Sequence, residues 1–405
     1  MNENNTNSKS VGTHIWFTKT RQSPGSASIM IMLICLILAG AIPAPLFADA
    51  QSPDTWEIFR GNQQLTGAIR RDIPGVYTLA WTYETDDDIR SSPVIARNMV
   101  FVGSDDGGVH GLDLKTGKKV WVFLTDDAIE APALVAFNTL YIGNLGGFFY
   151  ALDILTGKVK WQFTVDAQIS GSGNFISLKN GQQKRIAFGS YDNHLYCLDG
   201  ETGKKVWAFE AESYINGSPS VYKENFVFGA CDALVYGIQA KDGKKSFHID
   251  AGSYIPGSVA IVGDLAFFGH YGNKLVCADL AKKKIVWEFD DGETSGAFFS
   301  SPAVNETSVV IGSDEGVLYC VDRQKGKLQW KYICGDAIKS SPVIAGNKVI
   351  FGSADGYVYI LALGNGKKVW SWEIGEGVTG SPAVLGDMIV IGAEDGTVYA
   401  FRGDR

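Results

Sequence analysis

Eight residues of mixed chemistry recur just ahead of a Ser-Pro pair or its equivalent: Arg90, Glu130, Ser170, Asn216, Pro256, Phe299, Lys339 and Thr379. Brought together, their cations, carboxylate, carboxamide and hydroxyls could hold a polar ligand by charge and hydrogen bonding. The same set could line a solvated channel, and spacing alone leaves both readings open. Other candidate chemistry is thin. GLDLKTGKK at 111–119 is one residue too long for a phosphate loop and carries Lys119 where Ser or Thr is needed. The five histidines are scattered, and no Cys or His spacing suggests a metal finger. No metal site and no catalytic residue are therefore expected.

What positions these residues is a repeat. Trp81, Trp121, Trp161, Trp207, Trp287, Trp330 and Trp370 return along the chain, with Phe247 in the vacant place, at intervals of 40, 40, 46, 40, 40, 43 and 40 residues. Gly103, Gly143, Gly189, Gly229, Gly269, Gly312, Gly352 and Gly392 carry the same two long intervals in the same order. Two independent markers with one spacing mean a duplicated structural unit. Each unit reads as four short extended runs separated by Asp-Gly, Gly-Gly or Thr-Gly-Lys turns, as in SSPVIA at 91–96, MVFVG at 99–103, VHGLD at 109–113 and KKVWVF at 118–123. No stretch keeps a helical apolar period, so helices should be nearly absent. The expected fold is all-β: an eight-bladed β-propeller of four-stranded antiparallel blades over 76–405. Eight first-to-third strand sets precede only seven aromatic fourth strands. The strand around Trp81 should therefore complete the last blade and close the ring, leaving no open seam.

Residues 1–50 read as a secretory leader. The apolar run at 29–41 is thirteen residues long, against the ~20 that a membrane span needs. Lys9, Lys19 and Arg21 precede it, and Ala48-Asp49-Ala50 offers small residues for cleavage before Gln51. An uncleaved signal anchor in the inner membrane is the alternative. Cys35 lacks the sequence context of a lipoprotein. The protein is thus expected to be exported, periplasmic or envelope-associated, with 51–75 a lead-in to the propeller. Cys197, Cys277 and Cys320 share one third-strand position in three blades, too far apart for disulfides, and read as small buried hydrophobes.

The net charge of −8 argues against a nucleic-acid partner and hides a segregation. Loops expected on the channel-mouth face carry Asp86, Asp87, Asp88, Asp126, Asp127, Asp290, Asp291, Asp336 and Glu376, and the turns beside them are also acidic. Opposite turns carry Lys115, Lys118, Lys119, Lys204, Lys205, Lys244, Lys245, Lys282, Lys283, Lys284, Lys325, Lys327, Lys367 and Lys368. A disc with one acidic and one basic face would orient its partners. The three-residue insertion in DDGETSGAFF at 290–299 places Phe298 and Phe299 beside Glu293 and Thr294 at the mouth, where they would serve as a partner anchor or tuck into the channel. The six-residue insertion in SLKNGQQKR at 177–185 looks like a hairpin extension on the opposite face.

The unit consensus A-x-D-x-x-T-G-K-x-x-W, met in full by ALDILTGKVKW at 151–161 and nearly so by CLDGETGKKVW at 197–207, resembles the pyrroloquinoline-quinone-type propeller repeat. The resemblance covers residues 56–405, including a lead-in beginning WEIFRGNQQLTG. That superfamily includes quinone dehydrogenases, in which Glu and Asn side chains hold calcium, an Asp acts as base and adjacent cysteines form a ring over the cofactor. On this resemblance Glu130 and Asn216 could be calcium ligands, but Pro256 stands where a carboxylate would be needed and no two cysteines are adjacent. In blade count and plain repeats the chain resembles the propeller subunit of the outer-membrane β-barrel assembly machinery. The expected function is a non-enzymatic, monomeric, protein-binding scaffold in the cell envelope, with no cofactor and with peripheral membrane contact open to the lysine face. The alternative is an oxidoreductase binding pyrroloquinoline quinone, or a small-ligand sensor, using the channel mouth.

Overall fold

The computed structural model describes residues 55–292 and 296–404. The expected leader, Cys35, Glu293 and Thr294 lie outside the described residues. No helix occurs among the described residues; the repeats fold as eight antiparallel sheets in a ring. In the first, Val94–Ala96 pairs with Met99–Gly103, then Gly108–Asp113, then Lys119–Leu124. The short first strands of successive blades face one another around the axis. Tyr77–Glu84 pairs with the final strand Thr397–Gly403, Tyr77 opposite Gly403 and Glu84 opposite Thr397, and so completes the eighth blade as its outer strand.

The recurrent tryptophan does two jobs. Its flat ring fills the space between blades, and its indole N–H donates to a carbonyl of the next blade: Trp81 to Leu114, Trp121 to Ile154, Trp207 to Ala240, Trp287 to Arg323 and Trp330 to Leu363, at 2.6–3.1 Å. Trp370 donates to the Tyr77 carbonyl at 3.1 Å and ties the seventh blade to the closing strand. Trp161 lacks this bond because the corresponding carbonyl, that of Gly200, accepts from the Tyr141 hydroxyl at 2.8 Å.

The ring rests on the glycine of the next blade's Gly-Lys turn. Gly117, Gly157, Gly203, Gly243, Gly326 and Gly366 hold φ between 64° and 74° and would place a Cβ within 2.5–2.8 Å of an indole. In four of these turns an aspartate four residues earlier fixes the turn, as when Asp113 accepts from the Thr116 amide and hydroxyl at 2.9 and 2.6 Å. One turn departs from this pattern. Lys283 stands in the glycine's place at φ 55°, and the ring that should lie on it is Phe247 rather than Trp. The smaller ring matches the larger turn residue. Phe247→Trp alone should cost about 1–3 kcal/mol by overpacking, and adding Lys283→Gly should recover most of it. Urea unfolding of the two single variants and the double variant measures the coupling; additive effects would contradict the pairing.

The lead-in does not lie outside the ring. It runs around the channel and meets the open inner edges of the blades. Carbonyls of Trp56, Glu57, Gln63, Gln64, Thr66 and Gly67 accept from Ile95, Val135, Val221, Ile261, Val304 and Ile344, one residue per blade, at 2.7–2.9 Å. In the third blade the Gln63 side chain donates to the Phe175 carbonyl, and Asn174 donates back to the Gln63 carbonyl at 2.8 Å. Ala68–Ile69 adds a short parallel strand to the seventh sheet. Trp56, Ile58 and Leu65 are buried by this collar. Seven inner edges that would otherwise offer unpaired backbone are thereby satisfied.

Candidate functional site

Two loops per blade build the mouth. In the loop leading to each first strand, an apolar residue plugs into the glycine that ends a second strand: Ile89, Ile129, Ile169, Ile215, Ile255, Phe298, Ile338 and Val378, all fully buried. A Cβ on the facing glycine would come within 2.2–2.5 Å of these side chains. This plug fixes the loop, and the next residue is aimed at the axis. Phe298 is one of the plugs. It is packed edge-on to Tyr319 in the core, so an exposed Phe298–Phe299 anchor is corrected to Phe299 alone.

Arg90, Glu130, Ser170, Asn216, Pro256, Phe299 and Lys339 converge on one cavity, with Phe59 of the collar also in its wall. Thr379 stands apart from the lining and donates to Glu394 at 2.9 Å. Below the mouth runs a belt of serines. The amides of Ser172, Ser218, Ser258, Ser301, Ser341 and Ser381 donate in turn to the hydroxyls of Ser218, Ser258, Ser301, Ser341, Ser381 and Ser92, at 2.8–3.0 Å. The belt breaks at the second blade, where Pro132 occupies the serine position. Phe59 and the buried Arg60, which donates to the Ser341 carbonyl at 2.9 Å, lie against this belt. The cavity is open at the mouth and has a volume of about 170 Å³.

The rim has two chemically distinct sides. On one, Arg90 bonds Asp105 and pairs with Asp88 at 2.6 Å and Glu394 at 3.5 Å. Burial pushes the Asp105 carboxyl up to about 6 despite Arg90, with Glu130, Asp88 and Asp87 adding to the rise. On the other side lies an aromatic arc. Tyr191 stacks on Tyr214 with centroids 5.3 Å apart, Tyr254 meets Tyr271 edge-on at 6.4 Å, and Tyr271 meets Phe299 edge-on at 5.0 Å. Tyr214, Tyr254 and Tyr271 are 51%, 56% and 46% exposed, which sets them apart from the buried rings of the blades. The loops carrying them interlock: Cys231 donates its amide to the Tyr214 carbonyl, and Tyr271 to that of Tyr254, both at 2.9 Å. Exposed Glu212, which donates its amide to Asp232, gives the arc an acidic fringe.

Asn216 is committed. Its Oδ1 accepts from the Tyr191 hydroxyl at 2.7 Å, and its Nδ2 donates to the Pro256 carbonyl at 2.7 Å. The five described cysteines are free thiols, with Cys197, Cys277 and Cys320 buried opposite Trp207, Trp287 and Trp330. Among the described residues no three His, Cys, Asp or Glu side chains converge as a metal set. Several mouth-face carboxylates are structural: Asp192, Asp232, Asp355 and Asp395 each accept from the tyrosine hydroxyl four residues on. Asp291 is nearly buried and accepts from Tyr319. Hydrogen bonding leaves these carboxylates charged, and exposed Asp86, Asp87, Asp126, Asp127, Asp290, Asp336 and Glu376 add to the acidic field of the mouth.

Sequence reading missed the tyrosine arc and the collar. The first had a signal. Tyr214 and Tyr254 occupy one loop position in adjacent repeats, where the others carry Asp88, Ala128, Gln168, Ala297, Ala337 and Gly377.

The family model described as outer membrane protein assembly factor BamB matches residues 78–182, 176–289 and 278–404. No curated protein matches the chain. Among solved structures it is similar to BamB from Moraxella catarrhalis, at 17% identity and TM-score 0.70 over 82% of this chain and 98% of that one. It is also similar to a europium-containing methanol dehydrogenase, at 13% identity and TM-score 0.73 over 87% of this chain and 98% of that one. A third is the quinohemoprotein alcohol dehydrogenase from Comamonas testosteroni, at 15% identity and TM-score 0.75 over 88% and 82%. At these identities the structural likeness speaks for the fold.

Proposed function

The chain belongs to the family described as outer membrane protein assembly factor BamB, and from that membership we propose that it is a non-catalytic, exported propeller holding a protein partner of the cell envelope on its mouth face. The observation that carries this reading is the tyrosine arc. Large aromatic side chains left half exposed and braced against one another are the residue type that anchors protein interfaces, because they present much contact area at little entropic cost. They lie on rigid, mutually bonded loops, so the surface is formed before the partner arrives.

A quinone–calcium site finds little support at the mouth. The carboxamide that would serve as a ligand has both ends taken by Tyr191 and Pro256. The cavity of about 170 Å³ is below the ~300–1,000 Å³ usual for small-molecule sites. These residues do not fit that group, and no redox step is derived through it.

Removing the protein from its parent organism should lower the level of folded β-barrel proteins in the outer membrane. Supplying Glu130→Gln should restore that level, because no catalytic carboxylate is needed. Unchanged barrel levels on removal, or failure of Glu130→Gln to restore them, would overturn the reading.

A further inference from the structure

The face opposite the mouth has one repeated chemistry. Seven successive blades each end their third-to-fourth turn with exposed lysines: Lys118 and Lys119, Lys158 and Lys160, Lys204 and Lys205, Lys244 and Lys245, Lys283 and Lys284, Lys325 and Lys327, Lys367 and Lys368. Most of the turns' own carboxylates do not cover them. Asp113, Asp153, Asp199 and Asp322 are folded back onto amides of their own turns, three with a threonine hydroxyl as well. Bonds of this kind hold the Asp113 and Asp153 carboxyls below the ordinary range, so they stay ionised and bound in place. Two of the ring lysines pair locally, Lys160 with Asp153 at 3.8 Å and Lys244 with Asp242 at 3.1 Å. The others make no ion pair among the described residues.

The arrangement, more than the number, identifies the partner. Lys118, Lys158, Lys204, Lys244, Lys284, Lys327 and Lys367 occupy one position of the repeat, directly after the turn residue beneath the ring, so rotation about the propeller axis places these seven at one height around a circle. A coplanar ring of flexible, strongly hydrated cations suits a flat anionic surface. It suits a nucleic-acid groove or an extended peptide less well, since either would touch only a short arc. The described chain also starts on this face. Trp56 pairs antiparallel with Ile95, near the end of a first strand that runs from mouth to lysine face, so Thr55 lies toward the lysines.

We propose that the lysine ring is a docking surface for an anionic phospholipid bilayer, on which the disc lies flat with its tyrosine arc turned away from the lipid. This orientation leaves both faces usable at once. It does not depend on the partner reading, because it uses no mouth-face residue. A lysine close to such a surface contributes about 1 kcal/mol, and the attraction fades beyond a Debye length of about 8 Å at physiological salt.

The test is co-sedimentation of the full chain with vesicles, comparing phosphatidylglycerol-containing with pure phosphatidylcholine membranes at low salt. Any insertion of the apolar run enters both arms, so the ratio reports the ring. The expected preference for the anionic vesicles is about tenfold or more, and it should collapse as salt is raised. Changing Lys118, Lys119, Lys204, Lys205, Lys283 and Lys284 to Glu should abolish it without moving the melting temperature, whereas Asp86→Asn with Asp126→Asn should leave it intact. If the sixfold variant does not fold, the salt titration of the wild-type protein decides. Equal binding to both vesicles, a salt-insensitive preference, or a preference for duplex nucleic acid added in competition would each overturn the proposal.

Discussion

Deleting residues 56–69 is expected to leave a chain that no longer unfolds cooperatively as a propeller. The deletion removes eight backbone bonds to the inner edges of six blades and the Gln63 clasp on a seventh. Each bond contributes on the order of 1 kcal/mol, and the groups it leaves behind become buried and unsatisfied. Burial of Trp56, Ile58 and Leu65 is lost as well, where one Trp→Ala in a core costs about 3–5 kcal/mol. The total approaches or exceeds the ~5–15 kcal/mol that holds a typical domain together. Trp56→Ala is the graded version and should lower stability by about 3–5 kcal/mol. Urea unfolding followed by tryptophan fluorescence reads both variants. A deletion variant with the parent's midpoint would show that the collar is an accessory.

The repeat was legible in sequence because its causes are local and recur. An aromatic ring and a second-strand glycine recur from blade to blade, and a Gly-Lys turn returns in six of the seven third-to-fourth turns because each indole needs a glycine beneath it. The exception at Phe247 and Lys283 obeys the same rule from both sides. Ring closure by Tyr77–Glu84 followed from counting strands, and the structure pairs that strand as expected. The convergence of Arg90, Glu130, Ser170, Asn216, Pro256, Phe299 and Lys339 also followed from the period, since a position fixed in one blade is fixed in all.

What the period could not convey is whatever breaks it. The collar occurs once, so no internal comparison exposes it, and its bonds use backbone carbonyls that any sequence would supply. The fate of Asn216 depends on Tyr191, a residue in another loop of the mouth, and a single position cannot announce that its two polar ends are already bonded. Phe298 was misplaced for the opposite reason. Its neighbours in the repeat, Ile255 and Ile338, show it to be a plug, but the insertion before it shifts the register and draws attention to the loop.

Substituting the arc should have the largest functional effect. Tyr214, Tyr254 and Tyr271 are exposed and mutually braced, and their hydroxyls bond no described residue, so replacing them should remove partner affinity while sparing the fold. Truncating an aromatic anchor at an interface centre costs about 2–4 kcal/mol, on the order of 30-fold or more in affinity per ring. Tyr254→Ala with Tyr271→Ala should therefore abolish association at cellular concentrations, with a melting temperature close to that of the parent.

The central claim, that the mouth face is where the protein meets its partner, is tested most directly by photocrosslinking in intact cells. A photoreactive aromatic residue placed at Tyr254 should join the protein to a component of the outer-membrane assembly machinery, and the same residue at Lys204 should not. A crosslink from Lys204 with none from Tyr254 would put the partner on the lysine face and contradict the claim.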